Sequence, residues 1–316
     1  MRVAAVGLAS WDRLLVIDRH PAPGAQSTVL DEIAAPGGTT TNTCVALARL
    51  GAAVKVVTAF GDDAEGVQVR RGLEAVGVDP SWSVVRPDER TNQATVLVSR
   101  EPPERTILWR PGAQVRKGDR LDIPAIFDHD LVLLDLSDLP LLRFLTDLPA
   151  HVSPRTRLLG TANYLADPAI PDRFELALRH DVLVGSETDI RVVVGAADTA
   201  AVLDLLQAGI AGANLRAAVV TAGVSGCTVV TETERWLVPA FPIATVDPTG
   251  AGDAFLAGVA WGMTRFWPWP VTARFAAAMG ALGTRALGAQ TSLPTLPEIE
   301  TFLAARGDAG GNPHPG

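Results

Sequence analysis

A doubly wound α/β fold is what this sequence predicts: a mostly parallel sheet flanked by helices, with a small antiparallel sheet beside it. Three observations predict it. Short runs rich in valine and leucine recur, helix-period segments separate several of them, and two regions break the alternation with extended patterns. The runs are VAAVG at 3–7, VKVVTAFG at 54–61, LVLLDL at 131–136, RLLGT at 157–161, DVLVGS at 181–186 and AAVVTAG at 217–223. Being continuously apolar, they read as strands covered on both faces. Among the helical segments, TNTCVALARLG sets Cys44, Val45, Leu47, Ala48 and Leu50 on one apolar face and stops at Gly51. Residues 198–210 and 275–288 follow the same period.

The exceptions are residues 11–36, read as extended segments, and 91–112, read as two strands around the polar turn REPPER. In the second, Val96, Val98, Ile107 and Trp109 share one face. The two regions form either a separate small sheet or an edge of the main one. The tail beyond 303 is rich in Gly and Pro without an apolar pattern, so one domain over 1–303 and a disordered stretch at 304–316 are expected.

Composition narrows the function. The chain has 316 residues, 47% of them hydrophobic, enough for a sizeable core, and a formal charge of −8. That charge argues against general affinity for nucleic acid or anionic membrane, so any anionic ligand must be held by local geometry. Cys44 and Cys227 form no CxxC pair, and the five histidines form no HxxxH or HExxH pair; a disulfide framework and a structural zinc site are not expected. Without a signal-peptide pattern or an apolar run of roughly 20 residues, the chain reads as soluble and cytoplasmic.

Chemistry concentrates in two glycine motifs. In DPTGAGDAF, Gly250 and Gly252 lead into an apolar helix-like segment, and exposed amides at a helix start make a concave donor cluster suited to phosphate. No Gly-Lys-Ser/Thr follows, so this is not a Walker A loop; Asp253 stands where a cation would be. An acid beside an anion hole makes sense as a proton acceptor during phosphoryl transfer, with the amides of Ala251, Gly252 and Asp253 holding the moving group. The alternative is that Asp253 merely caps the helix. In PGGTTTNTCVALARLG, Gly37 and Gly38 precede a helix with Asn42 on its first turn, an arrangement that suits a polyol or an ordinary turn.

Together these residues resemble the ribokinase-like (PfkB) family of carbohydrate kinases. One signature spans 37–66, with Gly37, Gly38, Asn42, the Leu50–Gly51 pair and the turn FGDDAEG; the other, DPTGAGD at 247–253, is close to the family's D-T-x-G-A-G-D. The resemblance implies an ATP-dependent sugar kinase with Asp253 as base and Gly250, Ala251 and Gly252 as anion hole. It implies sugar contacts from Asp12, Gly38, Asn42 and Asp135; Asp135 also reads as a strand-end carboxylate facing water. Where the family often has a lysine after the double glycine, this chain has Thr39. Where it has N-x-x-E, used to organise magnesium and phosphate, GSETD offers Ser186 and Asp189. The resemblance further implies nucleotide contacts from Thr221, Gly223 and Gly226, an adenine pocket built by AMGALGTRALGAQTS, and a monovalent cation (K⁺) near Asp247, Thr249, Gly283, Ala286, Gly288 and Ser292. The extended segments at 11–36 and 91–112 become a lid that covers the sugar and pairs two subunits into a dimer. A nucleoside kinase, with Trp11 or Trp109 stacking on a base, and a catalytically idle sugar sensor remain alternatives.

Overall fold

The computed structural model describes residues 1–100, 103–148 and 155–307. The turn at 101–102 and the tail from 308 lie outside the described residues.

The central sheet runs in the order β15-β14-β13-β12-β11-β10-β1-β4-β6. Its members are β1 (Arg2–Gly7), β4 (Ala53–Val57), β6 (Val78–Asp79), β10 (Leu131–Asp135), β11 (Arg157–Thr161), β12 (Val182–Ser186), β13 (Ala217–Thr221), β14 (Cys227–Val230) and β15 (Arg235–Val238). Pairing is parallel from β6 to β13 and antiparallel only at β13–β14–β15. Side chains alternate between two cores. Val3 and Ala5 of β1 join one, beneath α1 (Thr39–Arg49), α8 (Ala251–Thr264) and α9 (Trp269–Gly283). Ala4 and Val6 join the other, beneath α4 (Leu139–Asp147), α5 (Arg173–Leu178), α6 (Glu187–Val194) and α7 (Thr199–Ile210). Both faces are therefore apolar, which is why the strands read as unbroken hydrophobic runs.

A second sheet stands apart, so the edge-of-main-sheet alternative is not what forms. It contains β2 (Ser10–Ile17), β3 (Val29–Gly37), β8 (Asn92–Arg100) and β9 (Pro103–Arg110), in the order β3-β2-β8-β9. It is not wholly antiparallel, as expected, but two antiparallel pairs joined by a parallel β2–β8 seam. Ala94 faces Trp109, Val96 faces Ile107 and Val98 faces Arg105, so the apolar face read from the sequence also carries an arginine.

Smaller departures have local causes. The run at 54–61 divides at Thr58, whose carbonyl accepts from Val84 and whose amide meets Ser83; β5 (Ala59–Gly61) then pairs with β7 (Val84–Arg86). The helix expected at 275–288 is shifted towards the N-terminus. α9 starts at Trp269, with proline in its first turn, and ends at Gly283, because the Thr284 carbonyl accepts from Val246 and Asp247 instead of continuing the helix. The remaining helices are α2 (Ala64–Ala75), α3 (Ile123–Phe127) and α10 (Leu296–Ala304). Among the described residues no single helix is long and apolar enough to cross a membrane.

His180 follows α5 and is buried against Gly160 of β11, where any added Cβ would lie 2.5 Å from the imidazole. Its Nδ1 meets the Ala177 carbonyl at 3.2 Å, its Nε2 has no partner among the described residues, and burial lowers its pKa below 6.5. Above that pH both folded and unfolded chains hold a neutral imidazole. Below it the unfolded chain binds a proton that the folded one refuses, so stability falls as the pH drops. His180→Leu is expected to flatten that fall between about pH 6.5 and 5, measured as Tm against pH in parallel with the wild type.

Candidate active site

The carboxyl ends of β1, β10, β11, β12 and β13 share one edge of the sheet, where β1 stands between β4 and β10 and the connections diverge to both sides. Ligands of open α/β sheets bind at such a point. Here a cleft of about 460 Å³ opens between this edge and one face of the second sheet. A larger hollow of about 800 Å³ lies at the opposite, amino-terminal edge, but the motif residues do not line it. Its arginines are already paired, Arg157 and Arg216 with Asp181 and Arg179 with Asp147.

α8 begins at Gly250 with no capping side chain, and the Ala251 amide turns back to the Pro248 carbonyl at 3.2 Å. The expected trio of donor amides is thus reduced to Gly252 and Asp253 in this conformation. The two glycines have different reasons to be there. Gly250 has φ 80° and any Cβ added to it would lie 2.7 Å from the Ala289 carbonyl oxygen, so backbone and packing both demand glycine. Gly252 has neither demand, because a Cβ added there meets nothing within 4 Å. It faces the cleft, as a residue kept small for a guest would.

Asp253 does not cap the helix. Its Oδ2 accepts from Asn42 Nδ2 at 2.7 Å, and Asn42 Oδ1 accepts from Gln290 Nε2 at 2.8 Å. Asp253 is half-buried by accessible surface, yet protein surrounds its carboxyl closely enough that desolvation pushes its pKa up to about 7. The Asn42 amide and the Arg105 charge act in the opposite sense, and the charges of Asp135 and Asp12 add to the rise. A carboxylate so poised accepts a proton readily near neutrality.

α1 presents polar side chains at an otherwise buried helix start, and each is satisfied. Thr41 Oγ1 donates to the Gly38 carbonyl at 3.0 Å, Thr43 Oγ1 to Thr39 at 2.8 Å, and Thr40 Oγ1 both receives from the Leu8 amide and donates to Asp135. Asp135, at the end of β10, is buried rather than facing water. Thr40 and Thr161 hydroxyls bind its oxygens at 3.1 and 2.8 Å, and burial raises its pKa and, with its charge, that of Tyr164. It does not line the cleft; it acts on Asp253 by charge from beneath. Asp12 does line it, with Ser10 Oγ donating at 2.6 Å and desolvation lifting its pKa to about 6. Gly37 leaves the room that Asp12 occupies.

Ser186 and Asp189 form a cap. Ser186 Oγ accepts from the Asp189 amide and donates to Asp189 Oδ2 at 2.7 Å, fixing the start of α6 where both side chains line the cleft. That leaves Asp189 Oδ1 without a hydrogen bond among the described residues, a hard oxygen suited to hydrated magnesium. Thr221 lines the cleft; Gly223 and Gly226, in the turn between β13 and β14, do not, nor does any residue of 278–292. Asp247 is buried and both its oxygens are taken, by Thr249 and by the Gly288 amide, while Ser292 Oγ donates to the Gly283 carbonyl at 2.6 Å. These groups cluster, but their donors already satisfy one another.

The lid contributes Ile107, Trp109 and Arg105, the last being the one lysine or arginine among the described residues lining the cleft. Its Nη1 donates to the Pro248 carbonyl at 3.3 Å, so it bridges the lid to the loop before α8. Arg110 points to the other face, where it meets Gln93. Trp11 packs on the main core instead of the cleft, and in RFWPWP both Trp267 and Trp269 cover that core.

Sequence reasoning passed over two residues. Gln290 reaches Asp253 only through Asn42. Asn92, at the root of β8, donates to the Ala9 and Ala113 carbonyls and accepts from Gly112 and Gln114, tying together the segments that enter and leave the lid. Asn92 lies outside any motif, and Gln290, though within the stretch 278–292, carries no sequence signal of a partner 248 positions away.

A parallel sheet whose carboxyl edge faces a lid, with an uncapped glycine helix start and a desolvated carboxylate between them, defines a small-molecule phosphotransferase. The pfkB family carbohydrate kinase model matches residues 2–296, and the chain belongs to that family. It is 26% identical to a ribokinase of Bacillus subtilis over 96% of this chain and 99% of that one. It is 29% identical to an ATP-dependent ribose-1-phosphate kinase of Halopiger xanaduensis, over 98% and 100%. Among solved structures, Arabidopsis thaliana ribokinase complexed with ribose and ATP shares the fold, with a TM-score of 0.79 at 23% identity over 96% of this chain and 98% of that one. The protein is accordingly a kinase with an alcohol group as acceptor, and the idle-sensor alternative falls.

Proposed function

We propose that residues 1–303 act as one ATP-dependent kinase unit that phosphorylates a primary hydroxyl of a ribose-type sugar. The observation that carries this is the pairing of Gly252, a glycine that the protein's own packing does not require, with the desolvated carboxyl of Asp253 one residue on. Asp12, Gly38 and Asn42 bind the sugar hydroxyls. The acceptor oxygen forms a bond to the γ-phosphorus, the bond from that phosphorus to the β–γ bridging oxygen breaks with its electron pair leaving on ADP, and the hydroxyl proton passes to Asp253. Gly252 and Asp253 amides and Arg105 hold the charge that spreads over the moving group. Ser186 and Thr221 face the nucleotide, with Gly223 and Gly226 at the turn beyond. Magnesium, if held through Asp189, would neutralise phosphate charge; a K⁺ ion at the cluster around Asp247 would have to share oxygens that the chain's own donors already occupy, and the K⁺ and Na⁺ arms of the ADP-release assay test that site. Exposed Val29 and Leu30 on β3 and Leu108 on β9, the two opposite edge strands of the lid sheet, support dimer formation through the lid. The buried free thiols Cys44 and Cys227 agree with a cytoplasmic setting.

A nucleoside is the second reading, favoured by Trp109, a 43% exposed indole lining the lid side of the cleft where a base can stack. The test is ADP release from Mg-ATP across pentoses, hexoses, keto-deoxy sugar acids, ribose 1-phosphate and nucleosides, run in K⁺ and in Na⁺ salts. A preferred pentose supports the first reading, and a preferred nucleoside replaces it with the second. With the best acceptor, kcat/KM is expected to rise with pH through about 7, as Asp253 loses its proton, and then to level off. A profile flat from pH 5.5 to 8.5 would remove Asp253 from the base role.

A further inference from the structure

The loop after α9, expected from the sequence to hold adenine and a cation, lies behind the cleft, and none of its residues lines it. It nevertheless touches the lid, the Asp247 cluster and the start of α8. Leu287 packs on the lid core of Leu14, Ala94, Val96 and Val98, the Gly288 amide holds Asp247, and Ala289 backs Gly250 at the start of α8. Gln290 then reaches across to Asn42, whose amide holds Asp253.

The direction of that chain matters. An asparagine amide can present either its NH₂ or its carbonyl to a neighbour, and the two ends act oppositely on a carboxyl group. Facing NH₂, the carboxylate is stabilised as the anion; facing a carbonyl, it is stabilised only as the protonated acid. Asn42 is 3% exposed, so water does not decide between them. In the structure Gln290 Nε2 donates to Asn42 Oδ1 at 2.8 Å and Asn42 Nδ2 to Asp253 at 2.7 Å, so with Gln290 as donor the Asn42 carbonyl is held away from the carboxyl. We propose that Gln290 is a positioning residue for phosphoryl transfer, fixing the Asn42 amide so that Asp253 stands ready as an ionised base. This rests on the reading of Asp253 as the base. The other charged groups facing that carboxyl are Asp12 and Asp189 in the cleft wall, Asp135 beneath it and Arg105 on the lid.

Two variants test it in the full-length protein with the best acceptor from the panel. Gln290→Met keeps the bulk and removes the donor without adding charge. Gln290→Glu offers Asn42 an acceptor, which draws its NH₂ away from Asp253. The acid limb of kcat/KM is expected to move to higher pH by about 0.5 unit in the Met variant and by about 1 unit or more in the Glu variant. KM for Mg-ATP should stay within about twofold of wild type, and the loss in kcat should shrink from about tenfold at pH 6 to about threefold at pH 8.5. A uniform loss with an unmoved limb would mean a merely structural role. A shift in the Glu variant alone would mean through-space charge, and either result overturns the proposal. Asp253→Asn run alongside separates the failures: if that variant keeps wild-type turnover the base assignment itself is wrong, whereas its inactivity with unshifted Gln290 variants refutes only the relay.

Discussion

Asp253→Asn is expected to lower kcat by about 10²-fold or more while Mg-ATP affinity changes by about twofold at most. The substitution keeps the shape of the side chain, and its carbonyl oxygen still accepts from Asn42; only the ability to take a proton is lost. The same variant should be more stable than the wild type, and the pH dependence of that gain identifies the cause. Desolvation raises the folded-state pKa of Asp253 from 3.8 to about 7. Below 3.8 the carboxyl is neutral in both states and contributes no penalty. As the pH rises towards 7 the unfolded chain ionises first, native stability falls, and above 7 the loss is constant. The variant escapes this, so its Tm should match the wild type near pH 4 and exceed it by about 3 °C at pH 8. Differential scanning calorimetry at those two pH values, beside single-turnover assays, separates the catalytic from the stability effect. Equal Tm differences at both pH values would show that burial of the charge is not the source.

Asn92→Leu is expected to destabilise the protein by about 3 kcal/mol or more, lowering Tm by roughly 6 °C or beyond. Asn92 is 1% exposed and makes four hydrogen bonds, two from its amide NH₂ and two to its carbonyl oxygen. Leucine fills the volume but strands the carbonyls of Ala9 and Ala113 and the amide of Gly112 in a dry place. Those groups sit where the chain passes from the main sheet into β2, into β8 and out of β9, so the damage falls on the orientation of the lid. KM for the sugar should rise more than KM for Mg-ATP, because in the proposed reading the lid strands chiefly cover the acceptor. Thermal unfolding and two-substrate kinetics check both halves. A fall in stability with unchanged sugar KM would make Asn92 a packing residue alone.

Asp63 reinforces the same hinge from the other side. It caps α2 through the Gly66 amide and also accepts from the amide and hydroxyl of Thr91, the residue before β8. The FGDDAEG turn, legible as part of a signature, thus serves to anchor the lid to the core rather than to touch a ligand, since neither Asp62 nor Asp63 lines the cleft.

The amino-acid order by itself determined the architecture and the identity of the central chemical groups. Continuous valine and leucine runs require strands covered on both faces, and glycines leading into a helix leave its first amides uncovered by side chains; both are consequences of local composition. Tertiary structure decided what depends on a partner distant in the chain. Thr58 leaves the strand because Ser83 and Val84 claim its backbone, and α9 ends at Gly283 because residues 246 and 247 claim the next carbonyl. Asp135 became a buried charge rather than a solvent-facing one only when Thr40 and Thr161 closed over it. Strand pairing alone puts Arg105 on the cleft face of the lid and Arg110 on the other. The relay from Gln290 through Asn42 to Asp253 joins residues 248 and 211 positions apart. No periodicity or spacing reports a hydrogen bond between such positions, because its existence depends on how the folded elements meet.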